Sequence, residues 1–165
     1  MHIAILGGSG QMGQECIVQA HHRGWTVTAL IRRSGSLDHL IPLGENTIHQ
    51  IIGDATNPHD VALAIKDADA VVHVVSVPLF HPKPTTLYSR TTQAVIDARP
   101  HTQAKHYVVM SSAGTHHARQ ALPRGIRQAY EYLLGDVADD KEREEALLEQ
   151  SLLPWTLIKS PFLIP

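Results

Sequence analysis

The sequence predicts an α/β protein built on a doubly wound parallel sheet of about six strands, and three observations lead there. Apolar runs of strand length alternate with helix-length patterns through most of the 165 residues. The run "DAVVHVVSV" is almost wholly apolar, as a central strand covered on both faces must be. The first run, "IAIL", leads into "GGSGQMG" and then into a helical pattern, and glycines in that setting mean more than composition. Together these specify a Rossmann-type arrangement, expected as one domain over residues 1–165.

Each element follows from local chemistry. Ile3 to Leu6 form a short buried strand, and "QECIVQAHHRG" is a helix that stops at Gly24. "WTVTALIRR" gives a β-branched second strand from Trp25 to about Ile31. "SGSLDHLIPLG" is too broken for more than one or two helical turns, and "NTIHQIIGD" is a third strand ending near Gly53 and Asp54. Asn57 caps the next helix, with Pro58 at its first position and Asp60 in its first turn. "DAVVHVVSV" is the fourth strand, "PLFHPKP" a loop, Thr85 to Ala98 a helix and "HYVVM" the fifth strand. Beyond Ser111 the pattern blurs: "SSAGTHHARQALPRG" reads as a loop and "IRQAYEYLL" as a short helix. "DDKEREEALLEQS" is a separate strong helix, and "PWTLIKS" the sixth strand.

Composition narrows the partners. A hydrophobic share of 43% with 18% charged residues is that of a globule, not a disordered chain. A net charge of -2 gives no electrostatic reason to bind nucleic acid or an anionic membrane. One cysteine, Cys16, forms no internal disulfide and agrees with a reducing compartment. No leader or membrane-length apolar run is apparent, so a cytoplasmic location is expected. The 12 histidines show no ligand spacing, so no metal site is expected.

A pyrophosphate needs backbone N–H groups at a helix N-terminus and no side chain to hold it off. Gly8, Gly10 and Gly13 satisfy G-x-G-x-x-G, and Gly7, Gly10 and Gly13 the variant G-x-x-G-x-x-G. The whole turn, Gly7, Gly8, Ser9, Gly10, Gln11, Met12 and Gly13, is therefore the expected phosphate loop. An NAD site usually carries an acid at the end of the second strand, to bind the ribose 2′-hydroxyl. Here Arg32 and Arg33 stand in "LIRRSGS", with no acid before Asp38. Guanidinium groups suit a 2′-phosphate, so NADP(H) is the expected cofactor. Asp54, with Ala55 after it, either lies beside the adenine or caps the helix that follows. Val75 and Ser76, at the end of the fourth strand, complete the expected cofactor set.

The segments "IAILGGSGQMG", "VTALIRR", "GDATNPHDVALAIKDADAVV", "VVMSSAG" and "DKEREEALLEQSLLPWTLIKSP" resemble, in that order, landmarks of the atypical short-chain dehydrogenase/reductases. The nearest group is similar to the NmrA-like and biliverdin-reductase-B-like (flavin reductase) NAD(P)-binding proteins. The resemblance implies catalytic candidates at Ser111 and Ser112, after the fifth strand, and at Lys141 on the next helix. It also implies a tyrosine four residues before that lysine, where this chain has Val137; Tyr130 and Tyr132 lack lysine at that spacing. Lys141 keeps a second reading, as a surface lysine paired with Glu145 one turn on.

Relatives continue past "WTLIKSP", so the C-terminal substrate-side elements are expected to be short or missing, in a shortened member or a fragment. The expected activity is NADP(H)-dependent reduction of a small-molecule acceptor such as a flavin or quinone, by direct hydride transfer without a Tyr-Lys relay. The rival is a non-catalytic NADP(H)-binding redox sensor. The sequence does not set the oligomeric state.

Overall fold

The computed structural model describes residues 1–43, 48–78, 84–115 and 117–160. Most of the "PLFHPKP" loop, the first two residues of "NTIHQIIGD" and everything after Ser160 lie outside these residues. Six strands, β1 (His2–Leu6), β2 (Thr26–Ile31), β3 (Ile48–Ile52), β4 (Ala70–His73), β5 (His106–Ser112) and β6 (Trp155–Ser160), form one sheet. Its order is β3-β2-β1-β4-β5-β6, and every pairing is parallel. The helices are α1 (Gln11–His22), α2 (Pro58–Ile65), α3 (Leu87–Ala98), a single turn α4 (His117–Gln120) and α5 (Arg124–Gln150). This is the expected Rossmann-type sheet, and the chain reverses direction of winding between β1 and β4, where such sheets open a ligand crevice.

Strand alternation fills both faces. Ile3 and Ile5 of β1 pack with Ile17 and Ala20 of α1, while Ala4 and Leu6 pack with Val61 and Ile65 of α2, Val95 of α3 and Leu148 of α5. Both sets are buried, which is why β1 reads as a continuous apolar run. Asn57 caps α2 as expected, its side chain accepting from His59 N at 3.0 Å.

Three boundaries differ from the sequence reading. The fourth strand ends at His73, because its partner β1 ends at Leu6 and turns away; Val74 N to Leu6 O, at 3.0 Å, is the next bond. Residues 74–78 are thereby released from pairing to line a cleft. The fifth strand runs through Ser111 and Ser112, which pair with Lys159 and Ser160 of β6 and so lie inside the strand, not after it. The two helices expected around "IRQAYEYLL" and "DDKEREEALLEQS" are one helix of 27 residues. Its buried positions include Asp140, Lys141, Glu144 and Glu145, so charged residues occupy the face where an apolar stripe would have revealed it. Among the described residues no helix is long and apolar enough to cross a membrane.

Candidate functional site

The glycine turn is built mostly by packing demands, and one glycine stands apart. Gly7 has φ +94, and a Cβ there would sit 2.8 Å from Val75 N. A Cβ on Gly8 would fall 2.9 Å from that of Ala29, and one on Gly13 would run into the Gly7 carbonyl oxygen. Gly7 thus lets the turn pass close to the segment after β4, while Gly8 and Gly13 let the turn and α1 lie close to β2 and the end of β1. Gly10 differs: its φ is -76 and an added Cβ would meet only Gly7 O, at 3.4 Å. Among the described residues no packing contact requires glycine there, yet a side chain would stand at the cleft that Gly10 lines. Gly10 is also the N-cap of α1, with no side-chain cap and no acid in the first turn, so no side chain of α1 competes for its leading N–H groups.

The cleft, of about 630 Å³, lies at the carboxyl ends of β1, β2, β3 and β4. Of the expected cofactor residues, Gly7, Ser9, Gly10, Arg32, Asp54, Ala55, Val75 and Ser76 line it together. Gly8, Gln11, Met12, Gly13 and Arg33 do not. Met12 packs into the core beneath α1, and Gln11 and Arg33 are exposed away from the cleft wall. Both arginines are exposed in the bend after β2, and of the two only Arg32 reaches the cleft wall. Asp54 serves the local turn: its Oδ1 accepts from Thr56 N at 2.8 Å and Thr56 Oγ1 at 2.9 Å, while its own N–H donates to Asp60. Asp54 thus stands on the cleft wall and braces the turn ahead of α2, whose cap is Asn57 and not Asp54. Thr85, Thr86 and Arg90 from the start of α3 complete the opposite wall. The sequence carried no signal for them, because they are brought in by the crossover.

A second pocket, of about 150 Å³, shares Val77 and Pro78 with the cleft and is otherwise lined by Tyr88, Ser112, Tyr130, Leu134, Val137, Ala138 and Lys141. Ser112 and Lys141 therefore come together as expected. Ser111 does not: it is tied to α5 further along the helix, donating to Glu145 at 2.8 Å, and does not line the pocket. The surface reading of Lys141 is also overturned. Lys141 is only 8% exposed, donates to Met110 O at 3.0 Å and lies 4.0 Å over the Tyr88 ring. Burial pushes its pKa down, against the upward pull of Glu144 and Glu145. Glu145 takes its strongest partner from β6 instead, Lys159 at 2.8 Å.

Behind this pocket lies a buried polar layer that the sequence did not disclose. Asp140 accepts from Tyr88 N at 2.8 Å and from Ser89 Oγ, so α5 caps α3 from outside. Glu144 accepts from Thr92 at 3.1 Å and sits 3.1 Å from His73 Nδ1, which contacts Tyr107 Oη at 2.7 Å. Desolvation pushes the Glu144 carboxyl up to about 7 and the His73 imidazole down to about 3. In each case burial disfavours the charged form.

A protein-family model described as NAD(P)H-binding matches residues 7–164. The chain belongs to that family. The match spans the glycine turn, the cleft and the pocket behind it, and the open side of Gly10 with the uncapped start of α1 fits a nicotinamide dinucleotide. Among solved structures, ChuY, an anaerobillin reductase from Escherichia coli O157:H7, is 18% identical with a TM-score of 0.71, covering 96% of this chain and 72% of its own. Vestitone reductase from alfalfa is 18% identical at TM-score 0.72, covering 96% of this chain and 56% of its own. The oxidoreductase ylbE from Lactococcus lactis is 17% identical at TM-score 0.73, covering 96% and 68%. At such identities the likeness is one of fold.

Proposed function

We propose that this NAD(P)H-binding protein is an NADP(H)-dependent reductase of a flavin, quinone or similar conjugated small molecule. Arg32 carries the reading. It is the cation on the cleft wall at the end of β2, where an NAD site would present a carboxylate, and it can pair with a 2′-phosphate. The α1 N-terminus at Gly10 would hold the phosphates, and the pocket that begins at Val77 and Pro78 would receive the ring system. When bound, the reduced nicotinamide supplies a hydride to the acceptor. Lys141 and Ser112 fix the ribose and the ring, and Val77, Pro78, Leu134 and Val137 offer an apolar surface on which a flat acceptor stacks.

Val137, at the position of the customary tyrosine, favours a second reading: an NmrA-like sensor that binds the cofactor without turning it over. The assay that separates them uses purified protein, NADPH and a panel of flavins and quinones, followed by loss of nicotinamide absorbance. Turnover of any acceptor supports the reductase, and tight binding without turnover supports the sensor.

A further inference from the structure

The pocket shared by Ser112 and Lys141 contains a phenol after all. On α5, Tyr130 precedes Val137 by nearly two turns and Lys141 by about three, so all three fall on one face, and all three line the pocket. The Tyr130 hydroxyl donates to Gly114 O at 2.9 Å, and the Gly114 amide donates to Ser112 Oγ at 3.2 Å, so phenol and serine meet on the same loop. Space for the phenol is reserved at Gly114. A Cβ there would collide with the Tyr130 hydroxyl, and Gly114 has no positive φ that would otherwise call for glycine.

Building on the proposed reductase activity, we infer that Tyr130 is the proton donor of this site, its phenol replacing the side chain lost at Val137 and directing the enzyme to acceptors whose reduction ends on oxygen. The step balances with a reduced nicotinamide as reductant. A hydride adds to the acceptor, its C=O electron pair moves onto oxygen, and that oxygen takes the proton from Tyr130 Oη. The phenolate is reprotonated from water. A hydroxyl rotor can turn from the Gly114 carbonyl to an acceptor without moving the ring. The charged groups around Tyr130 are Arg119 of α4 and Glu131 and Glu142 of α5; burial, the largest influence, raises its pKa, so the phenol stays protonated through neutral pH. Tyr132, two residues on and 91% exposed, lies outside the pocket and serves as the control.

The test compares wild type, Tyr130→Phe, Gly114→Ala and Tyr132→Phe with NADPH and 9,10-phenanthrenequinone. NADPH affinity is read independently, by the fluorescence of the bound nicotinamide. Tyr130→Phe is expected to lower kcat by about 10²-fold or more, with affinity unchanged and melting temperature lowered only by the loss of the bond to Gly114 O, and to remove the alkaline limb of the wild-type pH profile. Gly114→Ala is expected to lower kcat in the same direction, and Tyr132→Phe to leave it unchanged. In the cofactor-free protein, tyrosinate absorbance should lose one phenol in Tyr130→Phe, and Ser112→Ala should raise that phenol's pKa. If wild type and Tyr130→Phe reduce the quinone equally, or share one alkaline limb, the inference is overturned while the reductase reading stands. Binding of NADPH without reduction of the quinone or of any flavin overturns both in favour of the sensor. Failure to bind NADPH at all overturns the cofactor assignment from which both start.

Discussion

Around the glycine turn, residues 7 to 13 present backbone and open space, whereas the pocket under α5 is made of side chains drawn from β5, α3, α5 and the loop after β4. The first region fits its ligand by what is missing: no side chain on Gly10, no cap on α1, no acid at the end of β2. The second is made by what is present: a buried ammonium and phenol at Lys141 and Tyr88, a half-buried phenol and serine at Tyr130 and Ser112, and two buried carboxyl groups behind them at Asp140 and Glu144. A site made of omissions is broken by adding atoms. A site made of buried polar groups is broken by removing them or by changing their charge.

The sharpest break lies within the turn itself, between its packing glycines and its open one. Gly13→Val should destabilise the fold by about 3 kcal/mol, because its side chain would have to displace the Gly7 carbonyl and the backbone of Gly8. Chemical denaturation should show the midpoint falling, and an unchanged midpoint would remove the packing role of that glycine. Gly10→Val, by contrast, should fold with a near wild-type melting temperature and bind NADPH about 100-fold more weakly. That equals about 2.7 kcal/mol of lost phosphate contact. Titration of the folded variant checks it, and retention of wild-type affinity would show that the phosphates lie elsewhere.

A finer division separates the two arginines. Arg32→Ala should cut the preference for NADPH over NADH by about 10-fold or more, since a charge-assisted bond to the 2′-phosphate is lost from the cleft wall. Arg33→Ala should change that preference by less than about twofold, being off the wall and weakly coupled through solvent. Equal effects of the two variants would return the assignment to the pair.

The smallest effect tests the buried layer. Glu144 has its pKa raised to about 7 by desolvation, so the native state holds a proton there that the unfolded chain has released. A raised folded pKa gives stability present at low pH and lost as pH climbs through about 7. His73, held down to about 3, acts in the opposite sense, with its contribution present above the ordinary imidazole range and lost as pH falls. Measuring Glu144→Gln against wild type cancels the histidine. The variant should lack a loss of about 1.4 kcal/mol between pH 6 and 8. Parallel stability curves for the two proteins would mean that the Glu144 carboxyl is ionised throughout.

Reading the chain in order was enough to place the sheet, the glycine turn, the Asn57 cap and the cation after β2, because each is written in neighbouring residues. An apolar run makes a strand, a glycine cluster makes a close turn, and an Asn-Pro pair starts a helix through bonds only a few residues long. The pocket under α5 escaped that reading. Ser111 and Ser112 look equivalent in sequence, and only the pleat of β5 sends one to Glu145 and the other to the pocket. Lys141 and Glu145 look like an exposed helical pair, and only the packing of α5 on β5 and α3 buries the lysine against Met110 O and Tyr88. Tyr130 lacks a lysine at the customary spacing, and only the continuity of one long helix puts it on the same face as Lys141. The turn was determined by the sequence alone because its chemistry is local. The pocket was decided by tertiary structure because buried charges declare their partners only when distant segments remove them from water.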